Sequence, residues 1–310
     1  MTASGCVTVH GEREIIPSAT KAEAARALEE FTSAYNKADK AYDPALDEDR
    51  VTGALGAINQ AGLKAKGASE PDGNPDHVPL KLTDTQFTIP EQAGWPKFFL
   101  ADADSNRDRD DDPQRDNRWL LVFLRTGVDD AWKAAFLTVV SPDEIPEFTT
   151  DKDGWAQPVP ADSKSLAVAP KNLSQEYATY LQDGGDAFAP GTHTSEWRAL
   201  RKKNTTRPGL STQYIDEPLT SGPYAPVGLR TKDGGALVFF ATHHYEKQTA
   251  AKGLNLQVSE EVKALMTGEA KQSITLERVS NQAVLDPAKG STERVEFLNR
   301  IQGLTGAKGE

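Results

Sequence analysis

Apolar residues recur along this chain at two spacings, helical near the start of each half and strand-like after it. Leu28, Phe31, Tyr35, Ala38 and Tyr42 stand three and four apart, which predicts one buried face of a long amphipathic helix. Thr20 and Glu23 have the spacing of a capping box at its start. A second helix is expected over about 47–63, where Val51, Leu55 and Ile58 follow an acidic first turn, and the Gly- and Pro-rich stretch 67–79 closes the helical part. From Leu80 the pattern becomes that of strands, at 86–89, 97–101, 118–125 and 131–140, with 126–130 as a hairpin loop. The last two strands are almost continuously apolar, Trp119 to Leu124 above all. Such a strand sits centrally in its sheet, with cover on both faces.

Pro142, Pro146, Pro158 and Pro160 crowd the stretch 141–161, and proline both fixes its own backbone and lacks an amide donor. A linker is expected there. The order then repeats: helices near 173–181 and 194–203, the second with Thr194 as N-cap and Trp197 as apolar anchor, then strands at 211–215, 227–231, 236–245 and 272–285. Lys232-Asp233-Gly234-Gly235 reads as a hairpin turn needing glycine at positive φ, and Val295, Leu298 and Ile301 suggest a closing helix. The predicted fold class is α+β, as two tandem helix-on-antiparallel-sheet domains: a tether over 1–17, a first domain over 18–150, a linker over 151–165 and a second domain over 166–310. Arg118–Phe123 would align with Gly235–Phe240, so the repeated order suggests an internal duplication, carried by pattern and not by identity.

Composition narrows the class. Of 310 residues 37% are hydrophobic, and no run approaches the ~20 apolar residues of a spanning helix. Acidic residues number 46 against 35 basic ones, a net charge of −11 that repels nucleic-acid phosphates, so no nucleic-acid partner is expected. The single cysteine, Cys6, excludes an intramolecular disulfide and any cysteine-built metal or iron–sulfur site.

Cys6 follows Ala3, Ser4 and Gly5, and this tetrad resembles the lipobox of bacterial lipoproteins, although Ala3 stands where leucine is usual. The resemblance implies a lipid on Cys6 and a partner in the membrane, with residues 7–17 as a tether reaching at most about 40 Å. Val128-Asp129-Asp130-Ala131-Trp132-Lys133 is similar to the Trp-Lys hairpin of cone-shaped, nuclear-transport-factor-2-like domains, in which a long N-terminal helix crosses a curved antiparallel sheet. From Cys6-Val7-Thr8-Val9-His10-Gly11-Glu12 through the helix after Thr20, the chain resembles an uncharacterised family of actinobacterial surface lipoproteins. That resemblance implies location and a two-part architecture, and no activity.

The candidate chemistry is sparse. Asp102-Ala103-Asp104-Ser105-Asn106 opens like a calcium loop, but Arg107 and Pro113 stand where glycine and glutamate are needed, so a solvated loop is expected and no metal. Ser18-Ala19-Thr20-Lys21 matches the Ser-x-x-Lys pattern of penicillin-interacting enzymes without their partner motifs, and a capping role explains it better. His243 and His244 are adjacent on a strand and must point to opposite faces; one could act as a general base, with no carboxylate partner evident. Trp119, Trp132 and Phe99 in the first half, and Trp197 and Tyr177 in the second, could line a pocket, although such aromatics more often fill a core. The reading favoured is a non-catalytic binding or scaffolding lipoprotein on the outer face of the cytoplasmic membrane. It would need no cofactor and would hold a small ligand, a wall component or an envelope protein. The alternative is a hydrolase or cyclase-like enzyme with His243 or His244 as base.

Overall fold

A computed structural model describes residues 14–109, 112 and 115–310 of the chain, so Cys6 lies outside the described residues. The first half contains β1 (Ile16–Pro17), α1 (Lys21–Ala41), α2 (Gly53–Ser69), β2 (Leu82–Thr88), β3 (Glu91–Gln92), β4 (Lys97–Ser105), β5 (Arg118–Arg125) and β6 (Lys133–Val140). The second contains α3 (Pro170–Asp183), α4 (Ser195–Asn204), β7 (Thr206–Arg207), β8 (Leu210–Leu219), β9 (Val227–Arg230), β10 (Ala236–Ala250), α5 (Glu260–Leu265), β11 (Met266–Gly268), β12 (Ser273–Asp286) and β13 (Glu296–Gly309). The fold class is α+β.

Sheet 1 is antiparallel in the order β2-β4-β5-β6; sheet 2 runs β11-β13-β12-β10-β8-β7, with β9 also paired to β10. β11 joins β13 in parallel, and the other pairs of sheet 2 are antiparallel. The last two residues of the expected tether form β1, paired with β3.

Side-chain parity explains how these elements stack. In β4 and β5, Phe99, Ala101, Leu121 and Phe123 join Leu28 and Phe31 of α1 in one buried cluster. Their neighbours Phe98, Leu100, Leu120, Val122 and Leu124 point the other way and pack with Leu237, Phe239 and Ala241 of β10 and Val279 and Ala283 of β12. The intervening β10 residues Ala236, Val238 and Phe240 face Leu173, Tyr177 and Leu181 of α3. The layers therefore run α1, sheet 1, sheet 2, α3, and both sheets are covered on both faces. Continuous apolar runs in β5 and β10 are what such burial requires.

Local signals account for the helix starts. Glu23 donates its backbone N–H to the Thr20 hydroxyl (3.1 Å) and its carboxylate accepts from Thr20 N–H (2.8 Å), closing the capping box that opens α1. α2 begins at Gly53, six residues later than its periodicity suggests, because Arg50–Thr52 bonds to the β6 backbone: Thr52 N–H donates to Ala134 O and Ala134 N–H to Arg50 O, both at 2.9 Å. Thr194 occupies the N-cap position of α4, but its hydroxyl donates to Ala189 O (2.7 Å) and does not cap the helix.

Two expectations fail outright. Asp102–Ser105 continues β4 and is no loop; Asp102 accepts from Arg118 Nε at 2.7 Å across the sheet. The stretch around Val295, Leu298 and Ile301 forms strand β13, not a helix. Val295 and Phe297 belong to the α3 side of sheet 2 and Leu298 to the sheet 1 side, and apolar residues of both parities mimic a spacing of three. Gly303 also faces Ile58 of α2, where a Cβ would lie 2.5 Å from a methyl group, so this strand admits the helix only by lacking a side chain.

The span 151–165 carries backbone bonds on two sides. Ala156 N–H donates to Ile89 O at 2.9 Å, Val159 N–H to Gly228 O at 2.8 Å, and both residues are buried. Pro158 thus lies opposite Leu229 on the outer edge of β9, where a missing donor does least harm.

Since one apolar cluster serves both halves, Phe239→Ala should lower stability by about 3–5 kcal/mol. Tryptophan fluorescence from the first half and backbone circular dichroism should report one shared, shifted urea transition. Two separated transitions would contradict a common core.

Candidate functional site

The polar residues that could carry chemistry gather on the α3 side of sheet 2. His244 lies opposite Asp216 of β8, and Thr242 lies opposite Ser280 of β12, so strand pairing alone brings residues from three strands onto one face. His244 Nδ1 is 2.6 Å from Asp216 Oδ1 and its Nε2 is 2.6 Å from Ser280 Oγ. Asp216 also binds Arg201 of α4, at 3.0 Å from Nη2 to Oδ1 and 2.9 Å from Nη1 to Oδ2. Gln282 donates an amide proton to Ser280 Oγ, and the Tyr177 hydroxyl donates to His193 O (2.6 Å) while accepting from Arg300 (3.2 Å).

Electrostatics define the protonation states. Burial drives the His244 imidazole down to about 4 against the pull of Asp216, so it is neutral at pH 7. Burial works to raise Asp216, but its bonds to His244 and Arg201 outweigh that and hold the carboxyl below its usual range. The consistent assignment has Nδ1–H donating to Asp216 and Nε2 accepting the Ser280 hydroxyl proton.

Serine, histidine and aspartate in this order have the connectivity of a hydrolase triad. Access decides against that chemistry. Ser280 is 0% exposed and His244 7%, with α3 packed over them, so an acyl carbon has no approach to Oγ. The arrangement instead ties α4 to three strands. Beside it, Gln282 Oε1, Gln302 Oε1, Arg300 Nε and Trp197 Nε1 are buried without hydrogen-bond partners among the described residues.

An open groove adjoins this network. Leu181 and Gln182 from α3, Ser195, Arg198, Ala199, Arg201 and Lys202 from α4, and Thr212–Asp216 from β8 enclose about 820 Å³, within the range of small-ligand sites. Arg201 forms part of its wall and stacks on Tyr214, 4.5 Å from the ring centre.

The residues singled out in the sequence are dispersed. Phe99 and Trp132 meet edge to face at 4.8 Å under α1, and Trp119 packs half-buried at the rim of that cluster. Tyr177 is fully buried, and Trp197 lies beneath the Arg300 guanidinium at 4.4 Å. His243 points away from His244, against Tyr245 at 4.3 Å, with Nε2 4.0 Å from Glu277. Burial lowers its pKa, with Glu277 and Glu217 opposing. Asp216, Ser280, Arg201 and the groove residues Arg198 and Lys202 are not evident from the sequence patterns above; the basic run Arg198–Lys203 in an acidic chain is a signal for the three cations, whereas Asp216 and Ser280 carry none. Among the described residues no group of three or more His, Cys, Asp or Glu side chains could hold a metal ion.

The buried imidazole has a testable consequence. In the unfolded chain His244 takes a proton near pH 6.5 and in the folded chain only near 4, so its contribution is complete above 6.5 and is lost as pH falls toward 4. That loss is on the order of 3 kcal/mol. Histidine-selective NMR should find the His244 imidazole still neutral at pH 5, and His244→Gln should flatten the acid limb of stability; a midpoint near 6.5 for His244 would contradict this.

Comparison with known proteins gives the family. The profile of a domain of unknown function, DUF8094, matches residues 16–309. Two proteins called uncharacterized lipoproteins, from Streptomyces coelicolor and Streptomyces avermitilis, are each 60% identical over alignments covering all of this chain and 92% of the relative. A further uncharacterized lipoprotein of S. coelicolor is 24% identical over 294 residues, 90% of this chain and 80% of its own length. No solved structure matches. With the profile matching 294 of 310 positions, the chain belongs to the DUF8094 family.

Proposed function

We propose that this protein is a lipoprotein held through Cys6 to the outer face of the cytoplasmic membrane, where its folded body is a non-catalytic binding module for an envelope ligand. The carrying observation is the 60% identity, over the whole chain, with proteins named lipoproteins. Ala3-Ser4-Gly5-Cys6 supplies the acceptor thiol, and no helix among the described residues is long and apolar enough to cross a membrane. Two acyl chains, at about 0.8 kcal/mol per buried methylene, would hold the body firmly.

The binding role rests on the open groove beside α4, which has room for a small ligand. The α1–sheet 1 and α3–sheet 2 pairs, packed sheet against sheet, also support reading the chain as two related modules, and α1 crossing sheet 1 next to the Trp132-Lys133 hairpin supports a cone-like first module. One observation favours a hydrolase instead, the Ser280–His244–Asp216 relay, and the full burial of Ser280 weighs against it.

Expressed from its own gene in its native host, the protein should fractionate with membranes and carry a diacylglyceryl mass increment on Cys6. Cys6→Ala should release it. An unmodified Cys6 in the mature protein would refute the anchor. Ester hydrolysis abolished by Ser280→Ala, with the fold intact, would refute the non-catalytic reading.

A further inference from the structure

The groove between α3, α4 and β8 is charged against the trend of the molecule. The chain carries a net charge of −11, yet the wall holds Arg198, Arg201 and Lys202 with Asp216 as its one acid. Asp216 is already engaged by Arg201 and His244, its side chain 5% exposed. Among the described residues Arg198 and Lys202 have no carboxylate within ion-pair distance: Arg198 bonds to the carbonyls of Leu181 and Gln182 at 3.3 and 3.4 Å, and Lys202 is exposed. Part of this charge complements the carbonyl end of α4, as cations in a last helical turn do. Arg198 lies in the first half of the helix, where the dipole gives it no such support.

The rest of the lining is rich in neutral hydrogen-bonding groups. Ser195, Thr205 and Thr212 carry hydroxyls, Gln182 an amide that both donates and accepts, and Leu181 and Tyr214 supply apolar surface, whereas the alternate β8 residues Gln213 and Ile215 turn their side chains to the other face, that of Lys247 and Tyr245. A ligand matching this wall needs a fixed negative charge, several hydroxyls and a compact apolar face. A simple anion would use only the cations, and an acyl chain would leave the Gln182 amide and the hydroxyls unpaired.

We propose that the groove binds an anionic carbohydrate, a sugar or polyol bearing phosphate or carboxylate, with Arg198 and Lys202 facing its charge and Gln182 and Ser195 its hydroxyls. This inference rests on the reading of the protein as a binding module and names the ligand class of that site. Guanidinium and ammonium groups at the mouth would also make binding salt-dependent, since exposed pairs are screened over about 10 Å at 0.1 M salt.

The test titrates the full chain with four probes by calorimetry: a glycerol phosphate oligomer, an oligogalacturonate, neutral dextran, and vesicles containing phosphatidylglycerol. The expected result is binding of the first two, weakened at least tenfold by Lys202→Glu and by Arg198→Gln, little binding of dextran, and unchanged circular dichroism and thermal midpoint in the variants. Because Arg198 also tethers two α3 carbonyls, Lys202→Glu carries the decision if Arg198→Gln unfolds. Binding of dextran that survives Lys202→Glu would overturn the anionic assignment while sparing the binding-module reading. Binding of vesicles alone would overturn the carbohydrate assignment in favour of a lipid surface. No binding of any probe, with no small molecule retained in native mass spectrometry of protein from its host, would overturn both.

Discussion

Everything in this molecule is hung on the face where the two sheets meet. Leu100, Leu120 and Val122 on one side and Leu237, Phe239 and Ala241 on the other are all nearly or fully buried, and each sheet is left with one further face to cover. α1 covers one and α3 the other. Once the central contact exists, the outward faces of β4, β5 and β10 must themselves be apolar where a helix lies on them, which is why these strands lack polar alternation. The same contact draws the proline-rich span against both sheet edges, through Ala156 on the first half and Val159 on the second.

Where sheet 2 extends past the apolar part of α3, its covered face turns polar. His244, Ser280 and Gln282 sit on the same strand faces that hold Phe240 and Val284 a few residues away. A buried Arg–Asp pair is weak evidence for stability, since desolvation opposes its attraction, but losing one partner strands the other charge in a dry interior at a cost of about 3–5 kcal/mol. The network therefore acts as a specification of fit: Arg201 of α4 finds its partner only when β8, β10 and β12 are in the observed register. Docking α4 in this way also shapes the groove, because Arg201 and Asp216 line both.

How much of this could be read beforehand depended on whether the cause was local. The capping box at Thr20 and Glu23, the β5 strand and the Gly234 turn at φ 90° are each decided within a few residues, and the sequence announces them. β13 was misread because burial on both faces erases the period that separates strand from helix, although Gly303, Gly306 and Gly309 argued for an extended chain. The start of α2 was misplaced because the competing partner, Ala134, is some eighty residues away. The site was least legible of all. His244 could be noticed, but its partners stand 28 and 36 residues away on other strands, and only sheet pairing brings them within 2.6 Å.

The layer order also bears on how the body would be presented if Cys6 carries a lipid. The chain enters the fold at β1, which pairs with β3, and Ser18 N–H donates to Pro90 O before α1 begins, so the tether leaves from the sheet 1 side. The groove lies on α4, across both sheets from α1. Packed sheets stand about 10 Å apart, and a helical layer on each side adds a comparable distance, which places the groove roughly 30 Å from the side of attachment. The groove and the point where the described chain enters the fold thus lie on opposite outer layers of the body, so a ligand held beside α4 would sit clear of the tether whichever way the body turns.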